Sequence, residues 1–197
     1  MSRIYNFIFF IFTMYTAKLG FSWAYKPEKL SWAKTKPYGH ELKTHLEFYF
    51  HEISIGDSAT VALIAQAQYQ PEESSSVFPF GNLYMLDDRL TVGPDPNSKL
   101  LGRAQGFSGS ASQESVSSMM GLTYSFTDGI FNGSSFVILG RNELLNPAKE
   151  LPVVRGTGLF RMARGFALAR TYYFNVTLGV VIVGYNVTMF HPKIPNS

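Results

Sequence analysis

The sequence predicts an all-β protein, an eight-stranded antiparallel barrel that follows a cleaved N-terminal signal peptide. Eight segments alternate between apolar and polar residues or are rich in β-branched residues, as strands are. Turn residues such as Gly, Pro, Asn and Ser separate them, and no helical periodicity follows the N-terminal segment. We prefer a barrel to a sandwich because closure removes the exposed edges of long strands. A barrel of this size can hold one small ligand.

The N-terminal segment has the features of a secretory signal. Arg3 precedes an apolar run over residues 4–15, and Ser22 and Ala24 are small residues at the positions that a signal peptidase reads. The run is too short to span about 30 Å of hydrocarbon, and Lys18 follows it. We therefore expect cleavage after Ala24, no membrane segment in the mature chain, and secretion to the extracellular space, which in a plant is the apoplast.

The expected organisation is simple. Residues 1–24 form the signal, residues 25–43 form a mobile polar arm with two prolines, and residues 44–192 form the barrel domain. Cleavage removes two of the 17 basic residues and none of the 14 acidic ones, so the mature chain is nearly neutral. This balance argues against nucleic acid as a partner.

The sequence contains no Cys, so disulfides cannot stabilise the barrel. Three Asn-x-Ser/Thr triplets fit a secretory route and predict N-glycosylation. They begin at Asn132, Asn175 and Asn186.

The first strand is predicted over residues 44–53. Leu46, Phe48 and Phe50 lie on one side of it, and Glu52 continues this apolar row. A turn at residues 56–58 leads to the second strand, residues 59–68, as its hairpin partner.

The third strand is predicted over residues 81–91 and contains Asp87 and Asp88, which we expect to be a solvated pair near the turn. The compact turn at residues 93–98 follows. The fourth strand, residues 99–107, has the small residues Gly102, Ala104 and Gly106 on one face, which indicates the close approach of another element.

The fifth strand, residues 116–128, alternates along its whole length, and Asp128 is the next member of its apolar row. The sixth strand covers residues 135–141. A loop and a short extended piece at residues 151–154 precede the seventh strand, residues 158–171, and residues 178–190 form the eighth. In the seventh strand we expect Arg164 on the same side as Phe160, Met162, Phe166 and Leu168.

Glu52, Asp128 and Arg164 are charged residues on the apolar rows of their strands. They either lie at strand ends, as solvated groups or a structural ion pair, or line the mouth of a cavity. In a cavity, desolvation raises the pKa of a carboxyl, which then serves as an acid near neutral pH, and the guanidinium requires an anionic partner. Tyr84 would offer a ring to a flat phenolic ligand.

Other site classes are not indicated. The Gly156-Thr-Gly158 sequence lacks the third glycine and the helix of a dinucleotide site, and no Gly-x-Ser-x-Gly elbow occurs. The four His residues do not form a pair at metal-ligand spacing, and there is no Cys nucleophile. We expect no cofactor and no metal ion.

Six blocks of the sequence resemble the plant dirigent proteins, in that family's order. They are LEFYFHEI (46–53), DDRLTVGPDPNSKLLGRAQG (87–106), SFTDGIFNGSS (125–135), ILGRN (138–142), ELPVVRGTGLFRMARGFA (150–167) and YNVTMFHP (185–192). The resemblance implies a secreted plant protein with a barrel like that of allene oxide cyclase, assembled as a homo-oligomer, a trimer or a dimer.

The resemblance also implies a function. A laccase or peroxidase generates monolignol radicals, such as that of coniferyl alcohol, and a dirigent protein without oxidase activity orients two of them so that they couple stereoselectively to a lignan. One alternative is a dehydratase or cyclase of isoflavonoid metabolism, of the pterocarpan type, which forms a quinone methide and closes a ring. The other is a non-catalytic defence protein that binds phenolics or glycans. Whether the chain is an enzyme depends on which alternative holds.

The pocket residues that the resemblance implies are Glu52, Asn142, Lys149 and Arg164. Glu52 stands where the family usually has Asp, which moves the carboxyl by one methylene. Lys149 stands where the family usually has Arg and lacks the bidentate guanidinium. We expect these differences to affect which substrate the protein binds and to leave the fold unchanged.

Overall fold

The computed structural model describes residues 41–68 and 78–193, and within them the chain is all-β, with no α-helix. The strands are β1 (Glu41–Ile53), β2 (Val61–Ala65), β3 (Leu83–Thr91), β4 (Leu100–Ser110), β5 (Ser117–Phe126), β6 (Ser135–Glu143), β7 (Ala148–Thr157), β8 (Arg164–Asn175) and β9 (Val180–Pro192). No helix in this part of the chain is long and apolar enough to cross a membrane. The predicted signal and nearly all of the predicted N-terminal arm lie outside the described residues.

The sheet closes into the eight-stranded antiparallel barrel that the sequence predicts. Its order is β1-β9-β8-β7-β6-β5-β4-β3-β2, and each neighbouring pair is antiparallel. The lower part of β3 also pairs with β1, at Tyr49–Thr91, Phe50–Leu90 and His51–Arg89. This pairing joins β1 to β3 and leaves β2 outside the ring, on the upper part of β3.

Two of the expected strands were wrong. Residues 59–68 contain only the short β2, which pairs with β3 rather than with the first strand. The ring is completed by β7, where we expected a loop and a short extended piece. The expected seventh strand at residue 158 starts instead with a 3-10 turn, because Gly158 (φ 59°) and Met162 (φ 61°) interrupt the extended backbone.

Two similar 3-10 turns fill one end of the barrel. Gly129–Phe131 follows β5, and Gly158–Phe160 follows β7. The rings of Phe131 and Phe160 stack with their centroids 5.1 Å apart, and Phe160 is fully buried. We call this the lower end; it is closed by aromatic side chains.

The opposite, upper end is formed by the termini of the same strands. Because all neighbours are antiparallel, the C-terminal ends of β1, β4, β6 and β8 lie there with the N-terminal ends of β3, β5, β7 and β9. Residues that are distant in sequence therefore meet at the upper end inside the barrel.

The core lies inside the ring and is dominated by aromatic residues from β1, β5, β6 and β9. Phe48 stacks on Tyr185 at 5.4 Å, and Tyr124 stacks on Phe136 at 5.0 Å. On the two remaining sides of the ring, β4 and β8 present small residues, such as Ala104, Ala167 and Ala169. Rings from β1 and β9 thus meet rings from β5 and β6 across the interior, and the small side chains leave room for them.

Candidate functional site

Four residues from the sequence analysis lie together on the inward rows at the upper end of the barrel. Each lies two or four residues beyond a buried core residue of the same strand and therefore continues its inward-facing row. They are Glu52 on β1, Tyr84 on β3, Asn142 on β6 and Lys149 on β7. All four are partly buried, so polar side chains line this end of the interior next to the apolar core.

Glu52 carries a carboxyl that titrates near neutral pH. Burial raises the pKa of Glu52 from 4.5 to about 7, and the charge of Lys149 opposes part of this rise. The residue retains some solvent exposure although its carboxyl is desolvated. An acid whose pKa lies near the working pH is suited to proton transfer.

Lys149 is the matching basic group. Burial lowers the pKa of its amine, and the charge of Glu52 counteracts this effect. No carboxylate of the described residues lies within 4.0 Å of the amine. An open depression of about 210 Å³ borders Lys149 and is lined by residues 148–150 of β7 and 168–170 of β8, four of which are exposed.

Asp88 belongs to the site and was wrongly expected to be solvated. It is fully buried, and Thr60 donates a hydrogen bond of 2.5 Å from Oγ1 to Asp88 Oδ1. The other oxygen, Oδ2, has no hydrogen-bond partner in the described part of the chain. Burial, reinforced by the charge of Glu52, raises the pKa of Asp88 from 3.8 to about 8. The sequence signal for this burial is the alternating row in which Asp88 stands between Leu86 and Leu90.

Two tyrosines lie beneath the carboxyls. The hydroxyl of Tyr124 donates to that of Tyr185 at 2.9 Å, and both side chains are buried. Burial and the neighbouring Tyr185 hold the pKa of Tyr124 well above its usual range. Burial raises the pKa of Tyr185 to about 12, against the effect of the hydrogen bond from Tyr124. Both phenols therefore stay neutral and act as hydrogen-bond donors at neutral pH.

Two further polar groups of the interior have unused hydrogen-bonding capacity. Ser118 on β5 pairs in register with Asn142 on β6. Asn142 Oδ1 and Ser118 Oγ are buried and have no hydrogen-bond partner among the described residues. The amide nitrogen of Asn142 lies 3.8 Å from the sulfur of Met120. Buried polar atoms without partners are costly, so these groups are suited to bind hydroxyls of a ligand.

The expected inward position of Arg164 is wrong. Its side chain is 62 % exposed on the outer face of β8, at the lower end, where it forms a bidentate ion pair with Glu41, with one contact of 2.8 Å. The inner row of β8 consists of small residues instead, including Ala167 and Ala169. The expected anionic partner exists, but it is a surface group.

Asp128 also lies away from the upper end. β5 ends at Phe126, and Asp128 precedes the first 3-10 turn at the lower end. Its carboxylate pairs with Lys99 Nζ at 2.6 Å. The expectation that Asp128 continues an inward row is therefore wrong, because the strand ends two residues earlier.

Arg164→Ala is expected to leave the activity of the protein within about twofold of that of the unchanged chain, because this exposed ion pair lies at the opposite end from Glu52 and Lys149. Steady-state kinetics on the substrate of the unchanged protein would measure this. A loss of a hundredfold or more, with an unchanged circular dichroism spectrum, would contradict the placement of the site at the upper end.

Within the described residues, no group of three or more His, Cys, Asp or Glu side chains is placed to hold a metal ion. The acid and base groups of the upper end are Glu52, Asp88 and Lys149. The arrangement can accept and donate protons within an aromatic-lined interior.

Known proteins resemble this chain over the whole barrel. The family model described as "Dirigent-like protein" matches residues 43–190. "Dirigent protein 23" of Arabidopsis thaliana is 44% identical over 162 residues, which are 82% of this chain and 85% of that protein. "Pterocarpan synthase 1" of Glycine max is 45% identical over 149 residues, 75% of this chain and 78% of that protein.

The solved structures give the same result. The structure of the pterocarpan synthase dirigent protein GePTS1 superposes with a TM-score of 0.72 at 42% identity, covering 81% of this chain and 94% of that one. The corresponding protein PsPTS1 gives a TM-score of 0.70 at 42% identity, covering 78% and 97%.

Proposed function

The chain belongs to the dirigent-like protein family, and on that premise we propose that it is a stereoselective dehydratase of phenolic substrates. The substrate class is a phenol with a benzylic hydroxyl and a second hydroxyl that can close a ring, as in an isoflavanol. The observation that carries this proposal is the Glu52 carboxyl, whose pKa of about 7 makes it a proton donor at neutral pH. Similarity to proteins named pterocarpan synthase supports it.

The first step expels water. The proton of the Glu52 carboxyl moves to the benzylic hydroxyl, the carbon–oxygen bond breaks, and water leaves. The unprotonated amine of Lys149 takes the proton of the phenol, and the electron pair of that O–H bond forms the quinone carbonyl. The product of the step is a neutral quinone methide, with carboxylate and ammonium left on the protein.

The second step closes the ring and restores the protein. The second hydroxyl adds to the methide carbon and gives its proton to the Glu52 carboxylate, while the Lys149 ammonium returns a proton to the quinone oxygen. The net reaction is the loss of one water. Only one face of the methide is open to attack if the substrate is held by polar contacts to groups such as Asn142 and Tyr84, and a tenfold preference for that face needs only about 1.4 kcal/mol.

The test is a chiral chromatographic assay with a cis- and a trans-isoflavanol, run at pH 6 without any oxidase. We expect a cyclised product, lighter by one water, with an enantiomeric excess that is absent without protein. Arg164→Ala serves as a matched control that keeps the activity. No dehydration of either isomer would contradict the proposal.

A second candidate function is stereoselective coupling of phenoxy radicals, such as two coniferyl alcohol radicals to a lignan, with a laccase or peroxidase as the radical source. Relatives named dirigent protein are as similar to the chain as those named pterocarpan synthase, and this similarity supports the second candidate function. An enantiomeric excess that requires both this protein and a laccase would support coupling. Product formed without an oxidase would support the dehydratase.

We also propose that the protein is a homo-oligomer. The outer face of the barrel at β8 and β9 exposes large apolar side chains, including Phe166, Leu168 and Phe190, each 37% accessible. Exposed apolar side chains that adjoin one another are typical of interaction sites. Light scattering of the purified protein tests this, and the mass of a single chain would contradict it.

Secretion to the apoplast and N-glycosylation stay proposals. Asn132 is exposed beside the first 3-10 turn, and Asn175 ends β8. Asn186 lies within β9 on the outer face, and its amide donates to Glu47 at 3.2 Å. Intact mass before and after glycosidase treatment of the secreted protein tests occupancy, and an unchanged mass would contradict it.

A further inference from the structure

Lys149 differs from the other lysines of the described residues. Lys43, Lys99 and Lys193 are exposed, and Lys99 is paired with Asp128 at 2.6 Å. Lys149 instead lies on the inward row of β7, two residues before Leu151, which is 1% exposed. It is thus an amine on the wall of the barrel interior.

The amine has room and no fixed partner. Lys149 pairs in register with Ala169, whose small side chain is buried beside it on the inner face of the barrel. The open depression of about 210 Å³ between residues 148–150 and 168–170 gives access to it. The side-chain amine of Lys149 makes no hydrogen bond or ion pair within the part of the chain that the structure describes. A lysine that only held the fold together would be expected to have a partner.

We propose that Lys149 forms a reversible imine with phenolic aldehydes, such as 4-hydroxycinnamaldehydes, inside the barrel. The lysine nitrogen adds to the carbonyl carbon and gives a carbinolamine. The Glu52 carboxyl protonates its hydroxyl, water leaves, and the nitrogen returns a proton to Glu52. One aldehyde and one amine thus give one imine and one water, without any oxidant or reductant. The phenolic class of ligand rests on the proposed function.

This activity is open to lysine alone among the basic side chains. A primary amine that is partly unprotonated adds to carbonyls, and burial lowers the pKa of the Lys149 amine. A guanidinium stays protonated and does not form an imine. The neighbouring carboxyl supplies the proton that expulsion of water requires.

The experiment is reductive trapping. The purified protein is incubated with 4-hydroxycinnamaldehyde and sodium cyanoborohydride, which reduces an imine to a stable secondary amine, and peptide mass mapping locates the adduct. We expect at least about fivefold more adduct on Lys149 than on Lys43, Lys99 or Lys193, because the unprotonated fraction of an amine controls its reactivity. Equal labelling, or labelling of the exposed lysines alone, would overturn the inference.

Lys149→Arg is the matched control, because it keeps a cation and removes the amine. We expect it to lose the adduct while its circular dichroism spectrum is unchanged. If this variant fails to fold, the comparison of adduct levels among the lysines of the unchanged protein is the decisive measurement. The same preparation is assayed for isoflavanol dehydration, so that trapping without dehydration refutes only the proposed function, and dehydration without trapping refutes only the imine.

Discussion

Replacing Glu52 with glutamine is expected to lower the rate of isoflavanol dehydration by about 10²- to 10⁴-fold, the range that loss of a general acid produces. Glutamine keeps the size and polarity of the side chain but has no acidic proton. The measurement is the turnover number from initial rates with saturating substrate at pH 6. The circular dichroism spectrum and melting temperature establish that the barrel is intact.

Glu52→Asp is the matched control, since it keeps the acid and shortens the side chain by one methylene. We expect it to retain more activity than Glu52→Gln at every pH. In the unchanged protein the rate should pass through a maximum as the pH is varied, because the first step needs a protonated Glu52, whose pKa lies at about 7, and an unprotonated Lys149. A Glu52→Gln variant with the activity of the unchanged protein would refute the role of this residue.

Replacing Asp88 with asparagine is expected to stabilise the barrel by about 2–4 kcal/mol at pH 8 and to change little at pH 4. Asp88 is fully buried, and one of its oxygens has no partner in the described residues. Asparagine keeps an oxygen that can accept the hydrogen bond from Thr60. Thermal unfolding at several pH values measures the difference.

The sign of this pH dependence follows from the raised pKa. Below about 4 the carboxyl is protonated in both the folded and the unfolded chain, so the contribution of Asp88 to stability is intact. As the pH rises from about 4 to 8, the unfolded chain ionises while the folded one retains its proton, and stability is lost until the folded pKa of about 8 is passed.

Asp87→Asn is the control for Asp88→Asn, because Asp87 is 52% exposed on the outer face beside Arg103. We expect its effect on the melting temperature to be smaller than that of Asp88→Asn at pH 8. A stabilisation by Asp88→Asn that is the same at pH 4 and pH 8 would show that the folded pKa of Asp88 is not raised.

Alternation along the sequence predicted the barrel, but it did not tell which face of a strand is inside. In β8 the more apolar row, with Phe166 and Leu168, is on the outer face, and the inner row is alanine. The reason is the volume of the aromatic rings that fill the interior, such as those of Tyr124 and Phe136, which leave room only for small side chains on β8. That complementarity depends on contacts between distant strands.

The same limit explains why only part of the candidate site could be predicted from the sequence. Glu52 was indicated by its place after Phe48 and Phe50, and the same rule applied to β3 would have indicated Asp88. Glu52 and Asp88 lie in the site, whereas Asp128 and Arg164 do not. Distinguishing the two pairs requires knowing where each strand ends and in which direction it runs. The strand ends and directions place the second pair at the lower end of the barrel, where ion pairs with Lys99 and Glu41 satisfy them.

The most direct test of the proton-donating site is a carbon-13 NMR titration of the glutamate side-chain carboxyls, with Glu52→Gln to assign the resonance. The structure leads us to expect that the Glu52 carboxyl is protonated at pH 6 and titrates with a midpoint of about 7. A midpoint near the ordinary value of about 4.3 for glutamate would mean that the carboxyl is ionised at neutral pH, and the proposed dehydration could not start from it.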